Sequence, residues 1–468
     1  MKHNKIIYPV FILLLSSQIS DIRSQVPDSV VIKKISDEIF TSGECYKNLE
    51  YLCKKIGPRL TASPGAEKAV QWTNELMKNY GFDKVYLQEV MVPHWERGEK
   101  EVGKVISGSS KETAVNIVAL GGSIATPKEG MTAEIIEVKD FDELKKLGKE
   151  KVQGKIVFYN YPFDVKKIMP FEMYGAAGKY RTTGAIEAAR YGAVASITRS
   201  MTNYITTVPN TGAMHYNDSI TKIPACAIST QDAEWLSDLL KKEGKAKFFF
   251  KTNCQTFPDV KSYNVIGEIT GTEKPEEIIV VGGHIDSWDL AEGAHDDGTG
   301  CMESIEVLRV FKKLGIKPKR TIRAVMFMNE ENGLKGGIEY AKQAELKKEK
   351  HILAIESDAG GFTPRGFTMT MNDDSLPGGS VKKEKILKWK DYFYPYGAYD
   401  FTRKGGGADI SPLKKQGVSQ MELSPDNQRY FIIHHTARDT FEEVNKRELE
   451  LSSIVLTMMV YLVSEYGL

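Results

Sequence analysis

At 468 residues, with 41% hydrophobic and 27% charged side chains, the chain is long enough to bury a large core in more than one folding unit, which excludes a disordered or fibrous protein. A formal net charge of +1 gives no overall electrostatic pull toward nucleic acid or an anionic membrane, and neither is expected as a partner. The five cysteines, Cys45, Cys53, Cys226, Cys254 and Cys301, are too few and too spread to build a disulfide scaffold, and none has zinc-finger spacing.

Lys2, His3 and Lys5 precede an apolar stretch over 6–15, and small or polar residues follow over 16–24. That order predicts a cleavable secretory signal over 1–24 and a secreted or periplasmic protein. About ten apolar residues fall short of the ~20 that a membrane-spanning helix needs, so no stable membrane insertion is expected there.

Helices are predicted over 45–56 and 66–80, the second with Ser63 as N-cap, Pro64 at the first helical position and Gly81 closing it. Cys45 and Cys53 would then stand about 12 Å apart along one helix axis, too far for a bridge. Around 121–130 the pattern changes, and a second series of strands and helices begins with runs at 133–138, 155–159 and 193–197 and ends near 246–251. Strand patterning resumes at 263–267. We therefore divide the mature chain into a first part of a host domain at 25–124, an inserted lobe at 125–245 and the second part of the host at 246–468.

Short aliphatic runs at 277–281, 321–327 and 352–355 read as buried strands with helix-patterned segments between them, the signature of an α/β fold with a mixed, largely parallel sheet flanked by helices. Immediately after the three runs come Gly283-His284-Ile285-Asp286, Asn329-Glu330-Glu331 and Glu356-Ser357-Asp358. Polar residues thus emerge at the carboxyl ends of strands, where open α/β sheets bind ligands. Together with Asp296-Asp297 and His435 they supply what a centre of two divalent cations needs: ligands for each ion, a bridging carboxylate and a spare base. The segment 401–430, rich in Gly405-Gly406-Gly407 and polar residues, reads as a loop near a substrate pocket, in which the Arg403 guanidinium could grip a carboxylate bidentately. The apolar stretch 454–463 is too short to span a bilayer and is expected to pack as a terminal helix.

Five segments in this order, Gly282-Gly283-His284-Ile285-Asp286-Ser287, Gly293-Ala294-His295-Asp296-Asp297-Gly298-Thr299-Gly300, Asn329-Glu330-Glu331-Asn332-Gly333-Leu334, Glu356-Ser357-Asp358 and His435-Thr436-Ala437-Arg438-Asp439-Thr440, resemble the motifs of the co-catalytic zinc aminopeptidase and glutamate carboxypeptidase family. One branch of it is further resembled through Gly57-Pro58-Arg59-Leu60-Thr61-Ala62-Ser63-Pro64-Gly65 and Gly360-Gly361-Phe362-Thr363-Pro364-Arg365-Gly366. The resemblance implies a phosphorylase/hydrolase-like fold, two Zn2+ per chain, a peptide substrate and a homodimer. It implies that His284 and Asp358 bind one zinc, Glu331 and His435 the other, and Asp296 bridges them. Glu330 would be the general base and acid beside the attacking water, and Asp286 would accept the ring N–H of His284 and orient it. The bond between Asp296 and Asp297 is implied to be cis. His435 matches the terminal motif better than His434, which is left to packing. His295 falls at a variable position with a surface or structural role, and Cys301 on the following helix reads as buried packing. Where relatives often carry Ser-Asp-His this chain has Gly407-Ala408-Asp409-Ile410, so a histidine contact is missing. Residues 223–229 resemble a strand of a protease-associated domain, in keeping with the inserted lobe.

The function these features imply is an exported metallopeptidase acting on dipeptides or short peptides with free termini. Aminopeptidase or carboxypeptidase action on longer peptides, glutaminyl cyclisation on the same architecture, and a noncatalytic receptor or scaffold remain alternatives; the complete ligand set argues against the last.

Overall fold

The computed structural model describes residues 26–468, so the expected signal over 1–24 lies outside them. The chain lays down one strand of a first sheet, β1 (Lys84–Glu96), and then leaves it. Eight strands follow: β2 (Val102–Ile106), β3 (Glu112–Val115), β4 (Ile117–Ala119), β5 (Met131–Val138), β6 (Ile156–Tyr159), β7 (Ala195–Arg199), β8 (Ala225–Ile228) and β9 (Lys247–Lys251). They form a second sheet in the order β3-β2-β9-β5-β6-β7-β8-β4. The chain returns through β10 (Gln255–Ile269), β11 (Lys274–His284), β12 (Arg320–Phe327), β13 (Lys350–Glu356), β14 (Pro364–Thr370) and β15 (Ser419–Pro425). The completed first sheet has the order β1-β10-β12-β11-β13-β15-β14.

The second sheet takes strands from both sides of the 125–245 bounds expected for a lobe. β2 pairs with β9 and β4 with β8, so 102–119 and 247–251 belong to the same sheet. These strands are three to five residues long. Segments that short carry too little alternation to declare which sheet they join.

The centre of the first sheet is parallel, β12-β11-β13-β15, and its margins are antiparallel. Along β11 alternate residues feed two core layers: Ile279 and Val281 pack with the layer that includes Leu308 and Leu456, while Ile278 and Val280 pack with Tyr340, Ala341 and Ala344. Both faces are covered by helices, Thr299–Leu314 and Lys446–Tyr466 on one side and Lys335–Leu346 on the other, which is why the strand reads as a continuous aliphatic run. Burying each such aliphatic side chain is worth about 1.5–3 kcal/mol.

The helix expected at 45–56 is α-helical over Cys45–Tyr51 and then widens to a π turn over Leu52–Ile56 that ends at Gly57, with φ +81°. All five cysteines are buried and unpaired. Helix Pro64–Asn79 starts as expected, with the Ser63 hydroxyl accepting from the Ala66 amide at 3.2 Å. The C-terminal helix Lys446–Tyr466 is long and apolar enough to cross a membrane by length and composition, yet 83% of that apolar window is buried against the rest of the protein.

Candidate active site

The parallel strands deliver the polar cluster to one rim. His284 is the last residue of β11, Asp358 lies two residues beyond β13, and Glu330 and Glu331 follow the end of β12. Asp296 comes from the turn Ala294–Gly298 and His435 from just after the short helix Tyr430–Ile433. The Nε2 of His284 is 3.2 Å from Oδ1 of Asp296 and 3.4 Å from Oδ1 of Asp358. The Nε2 of His435 is 3.3 Å from Oδ2 of the same Asp296 and 3.0 Å from Oε2 of Glu331. Asp296 therefore faces one histidine with each oxygen. The peptide bond between Asp296 and Asp297 is cis.

Main-chain amides fix the loops. The Asp297 carboxylate accepts from the His284 amide at 3.0 Å and the Gly300 amide at 2.9 Å. A Cβ on Gly283 would lie 2.1 Å from that carboxylate, so only glycine admits this approach. Asp439 accepts from the amides of His295 at 2.8 Å and Asp296 at 3.1 Å. The fully buried Arg59 donates to the carbonyls of Ile285 at 2.7 Å and Gly293 at 2.9 Å, tying down the segment that leads away from His284. From the second sheet's lobe, Asn210 Nδ2 donates to the His434 carbonyl at 2.7 Å and the Thr211 amide to the His435 carbonyl at 2.9 Å. His435 needs that support, because its φ of +60° is a left-handed backbone unusual for a bulky side chain.

Asp286 does not play the expected part. Its carboxylate stands 3.8 Å from the His284 ring, whose Nδ1 is instead 3.0 Å from the Asp286 main-chain carbonyl. The carboxylate accepts from the amides of Asn329 at 2.7 Å, Glu330 at 3.1 Å and Glu331 at 3.3 Å, and from the Thr61 hydroxyl at 3.0 Å. The reason is local: Asn329, at φ +75°, turns three successive amides toward one point, and converging N–H groups hold a carboxylate better than a single imidazole does. Asp286 thus positions the Glu330-Glu331 turn.

The electrostatics are unbalanced. Burial raises the carboxyl of Glu330 to about 8, His284 opposes the rise, and Asp358 and Asp296 add to it. Glu331 and Asp358 are raised mainly by burial as well. Burial pulls His284 down, but the Asp358 and Asp296 carboxylates outweigh it and leave the ring well above the usual imidazole range, whereas burial and neighbouring His434 push His435 well below it. His284 Nε2 and Asp296 Oδ2 are buried without a hydrogen-bond partner. Two donors on one tetrahedral ion with bonds of about 2.0–2.1 Å stand roughly 3.3 Å apart, so the nitrogen–oxygen separations suit shared divalent cations. His434 and Asp297 lie close enough to join the two potential metal groups. The oxygens of Asp297 already accept two amides, and His434 Nε2 is 3.7 Å from Asp296, farther than His435.

Residues 264–460 match the family model of peptidase family M28. Carboxypeptidase Q of Homo sapiens is 36% identical over 421 residues, covering 90% of this chain and 85% of that protein, and the Rattus norvegicus protein is 37% identical with the same coverage. The chain belongs to peptidase family M28. Among solved structures, the peptidase M28 precursor of Shewanella amazonensis SB2B superposes with a TM-score of 0.88 at 32% identity over 93% of this chain and 96% of that one. A zinc aminopeptidase of Bacillus subtilis, 22% identical, shares the fold with a TM-score of 0.64 over 90% of this chain and 94% of that one.

In this M28 chain a cavity of about 220 Å³ is lined by Phe171, Ala359, Arg403, Lys404 and Glu422 among others, Ala359 being the residue after Asp358. Arg403 is there, but its Nε already donates to Asp400 at 2.7 Å and an Nη to the Ser424 hydroxyl. His295 is buried, its ring stacked on Phe362 at 4.4 Å with Nδ1 accepting from the Gly361 amide, which makes it structural. His434 stacks on His435 at 3.6 Å and packs against Tyr174 and Phe431, and Cys301 is buried. Sequence reasoning missed Thr61, Asn329, Arg181 and Tyr174 as neighbours of the site. Thr61 stood inside a quoted motif and Asn329 beside Glu330, a signal that could have been used; Arg181 and Tyr174 lie in the lobe with no motif around them.

Proposed function

We propose that this chain is an exported two-zinc exopeptidase that hydrolyses dipeptides or short peptides with free termini. The observation that carries the reading is Asp296, whose two oxygens face His284 at 3.2 Å and His435 at 3.3 Å as a carboxylate shared by two ions must. His284 and Asp358 would hold one zinc and Glu331 and His435 the other, a nitrogen and carboxylate set suited to that metal. When bound, such ions acidify water and offset negative charge on a peptide oxygen. Glu330 is the general base: its carboxylate takes the proton from the attacking water and returns it to the departing amine. Asp286 keeps the Glu330 amide in place. Arg403, on the cavity wall, is a proposed substrate contact. The second sheet is read as a protease-associated insert that walls one side of the cavity through Phe171, the stretch over 1–24 as an export signal, and the working protein as a homodimer. The test is metal analysis with dipeptide hydrolysis: about two zinc ions per chain and chelator-sensitive cleavage, abolished when either terminus is blocked, are expected. A protein that binds no zinc and cleaves no peptide would remove the reading.

A further inference from the structure

Ser357, the middle residue of Glu356-Ser357-Asp358, has no part in the chemistry above, yet three of its groups are held. Its amide donates at 3.0 Å to the carbonyl of Gly282, two residues before His284. Its carbonyl lies against Gly300, where a Cβ would come within 1.7 Å of the oxygen, so only glycine fits at that point of helix Thr299–Leu314. Its hydroxyl donates at 2.6 Å to Oε2 of Glu303, which shares a face of the same helix with Gly300.

Packing does not explain Glu303. It is fully buried, Met302 and Ile305 beside it in the helix are part of the apolar core, and its Oε1 has no partner. A carboxyl taken out of water costs stability unless it is well paired, and an apolar side chain of similar size often serves a buried position as well or better. What Glu303 provides is a fixed anchor for the Ser357 hydroxyl.

The residues assigned to the first zinc arrive on three segments: His284 ends β11, Asp296 lies in the turn that opens helix Thr299–Leu314, and Asp358 follows β13. Ser357 is where the three segments touch, through Gly282, through Gly300 and Glu303, and through its own bond to Asp358. Resting on the two-zinc reading, we propose that Glu303 is a positioning residue for the first zinc. By holding the Ser357 hydroxyl it seats the main chain of Asp358 against the other two segments and sets the 3.4 Å between Asp358 Oδ1 and His284 Nε2. Glu331 and His435, assigned to the second zinc, are steadied elsewhere, by the Trp288 amide on Glu331 Oε1 at 3.2 Å and the Thr211 amide on the His435 carbonyl at 2.9 Å. Loss of the Glu303 anchor therefore weakens one metal position and spares the other.

The experiment measures zinc bound per chain against chelator-buffered free zinc for wild type, Glu303→Met, Glu303→Gln and Ser357→Ala, with urea unfolding in chelator alongside. Wild type should fill in two steps. Glu303→Met and Ser357→Ala should keep one step and need roughly 10-fold to 100-fold more free zinc for the other, the usual cost of losing a group that orients a metal ligand. Glu303→Gln retains an acceptor for the hydroxyl and should stay close to wild type. Glu303→Met should leave the metal-free protein at least as stable as wild type, since it removes a poorly paired buried carboxyl. In a His435→Ala background, which keeps the first position alone, Ser357→Ala should shift the remaining step, and in a His284→Ala background it should shift nothing. If Glu303→Met does not fold, Ser357→Ala carries the comparison. Equal weakening of both steps, a loss of stability with neither step moved, or a glutamine variant as weak as the methionine one overturns the proposal. Two wild-type steps left unmoved in every variant would sink the role of Glu303 and keep the two-zinc reading, whereas a wild type that takes up no zinc would sink both.

Discussion

Two buried polar regions grow from the same parallel sheet, and they are built on opposite principles. In one, Arg323 of β12 donates to Glu268 at 2.9 Å, to Glu349 at 2.7 and 3.1 Å and to the Tyr340 phenol at 2.9 Å, which in turn meets His351 Nε2 at 2.8 Å. The guanidinium there is answered by carboxylates from within the chain. In the other, at the strand ends, Asp296, Glu330, Glu331 and Asp358 crowd two histidines, and His284 Nε2 and an oxygen of Asp296 have no partner. Buried polar groups are ordinarily satisfied: in the first network the charged groups are paired and His351 Nδ1 alone lacks a partner, whereas the strand-end cluster leaves carboxylate and imidazole atoms facing one another, as a site for a ligand does.

Substitutions should separate the two. Glu330→Gln should lower turnover by about 10²-fold to 10⁴-fold with zinc content and unfolding midpoint retained, as expected for loss of a general base from an intact site. Wild-type turnover in that variant would mean the rim does not work as described. Arg323→Met should do the opposite, lowering stability by about 3 kcal/mol in urea titrations because buried Glu268 keeps only the largely exposed Lys84 as its cation, while the metal content of the protein that remains folded is unchanged. A variant as stable as wild type would show that the Arg323 network is dispensable.

A pH series sharpens the same contrast. Burial and the nearby Arg323 guanidinium depress His351 to about 4, below its ordinary 6.5. Above 6.5 neither state is protonated and the group is silent. Between 6.5 and 4 the unfolded chain takes up a proton that the folded chain refuses, so stability falls as the pH drops through that window, by up to about 3 kcal/mol. Denaturation midpoints compared at pH 7 and 4.5 should show a smaller loss for His351→Gln than for wild type. The smallest effect is reserved for Asp286→Asn. It keeps one acceptor oxygen for the amides of 329–331 and should cost roughly 10-fold to 100-fold in kcat/KM. A change no greater than that of an exposed substitution would leave the turn positioned by other contacts.

Much of the rim was legible before the structure. The aliphatic runs that became β11, β12 and β13 end in His284, Glu330-Glu331 and Asp358, and a parallel sheet brings such ends together whatever the distance between them in sequence. Helix Pro64–Asn79 was equally plain, since its cap chemistry is written in Ser63 and Pro64. What escaped depended on the course of loops. Spacing put Asp286 beside His284, but the bend at Asn329 gave its carboxylate better partners. Arg59 and Arg181 lie far from the ligands in sequence, and nothing in a lone arginine tells whether its donors will end on carbonyls, as those of Arg59 do, or beside a histidine of the rim, as Arg181 does. The short strands β2 to β4 joined the second sheet through pairings with β8 and β9 that no local pattern announces.

The clasp that Asn210 and Thr211 make on the His434-His435 turn bears on how such proteins diversify. Because the lobe steadies His435 at the rim of the first sheet and also brings Arg181 beside it, it cannot be pruned like an ornamental loop. Chimeras that exchange 102–251 between relatives should keep the His434-His435 turn in place only where the two main-chain tethers travel with the lobe.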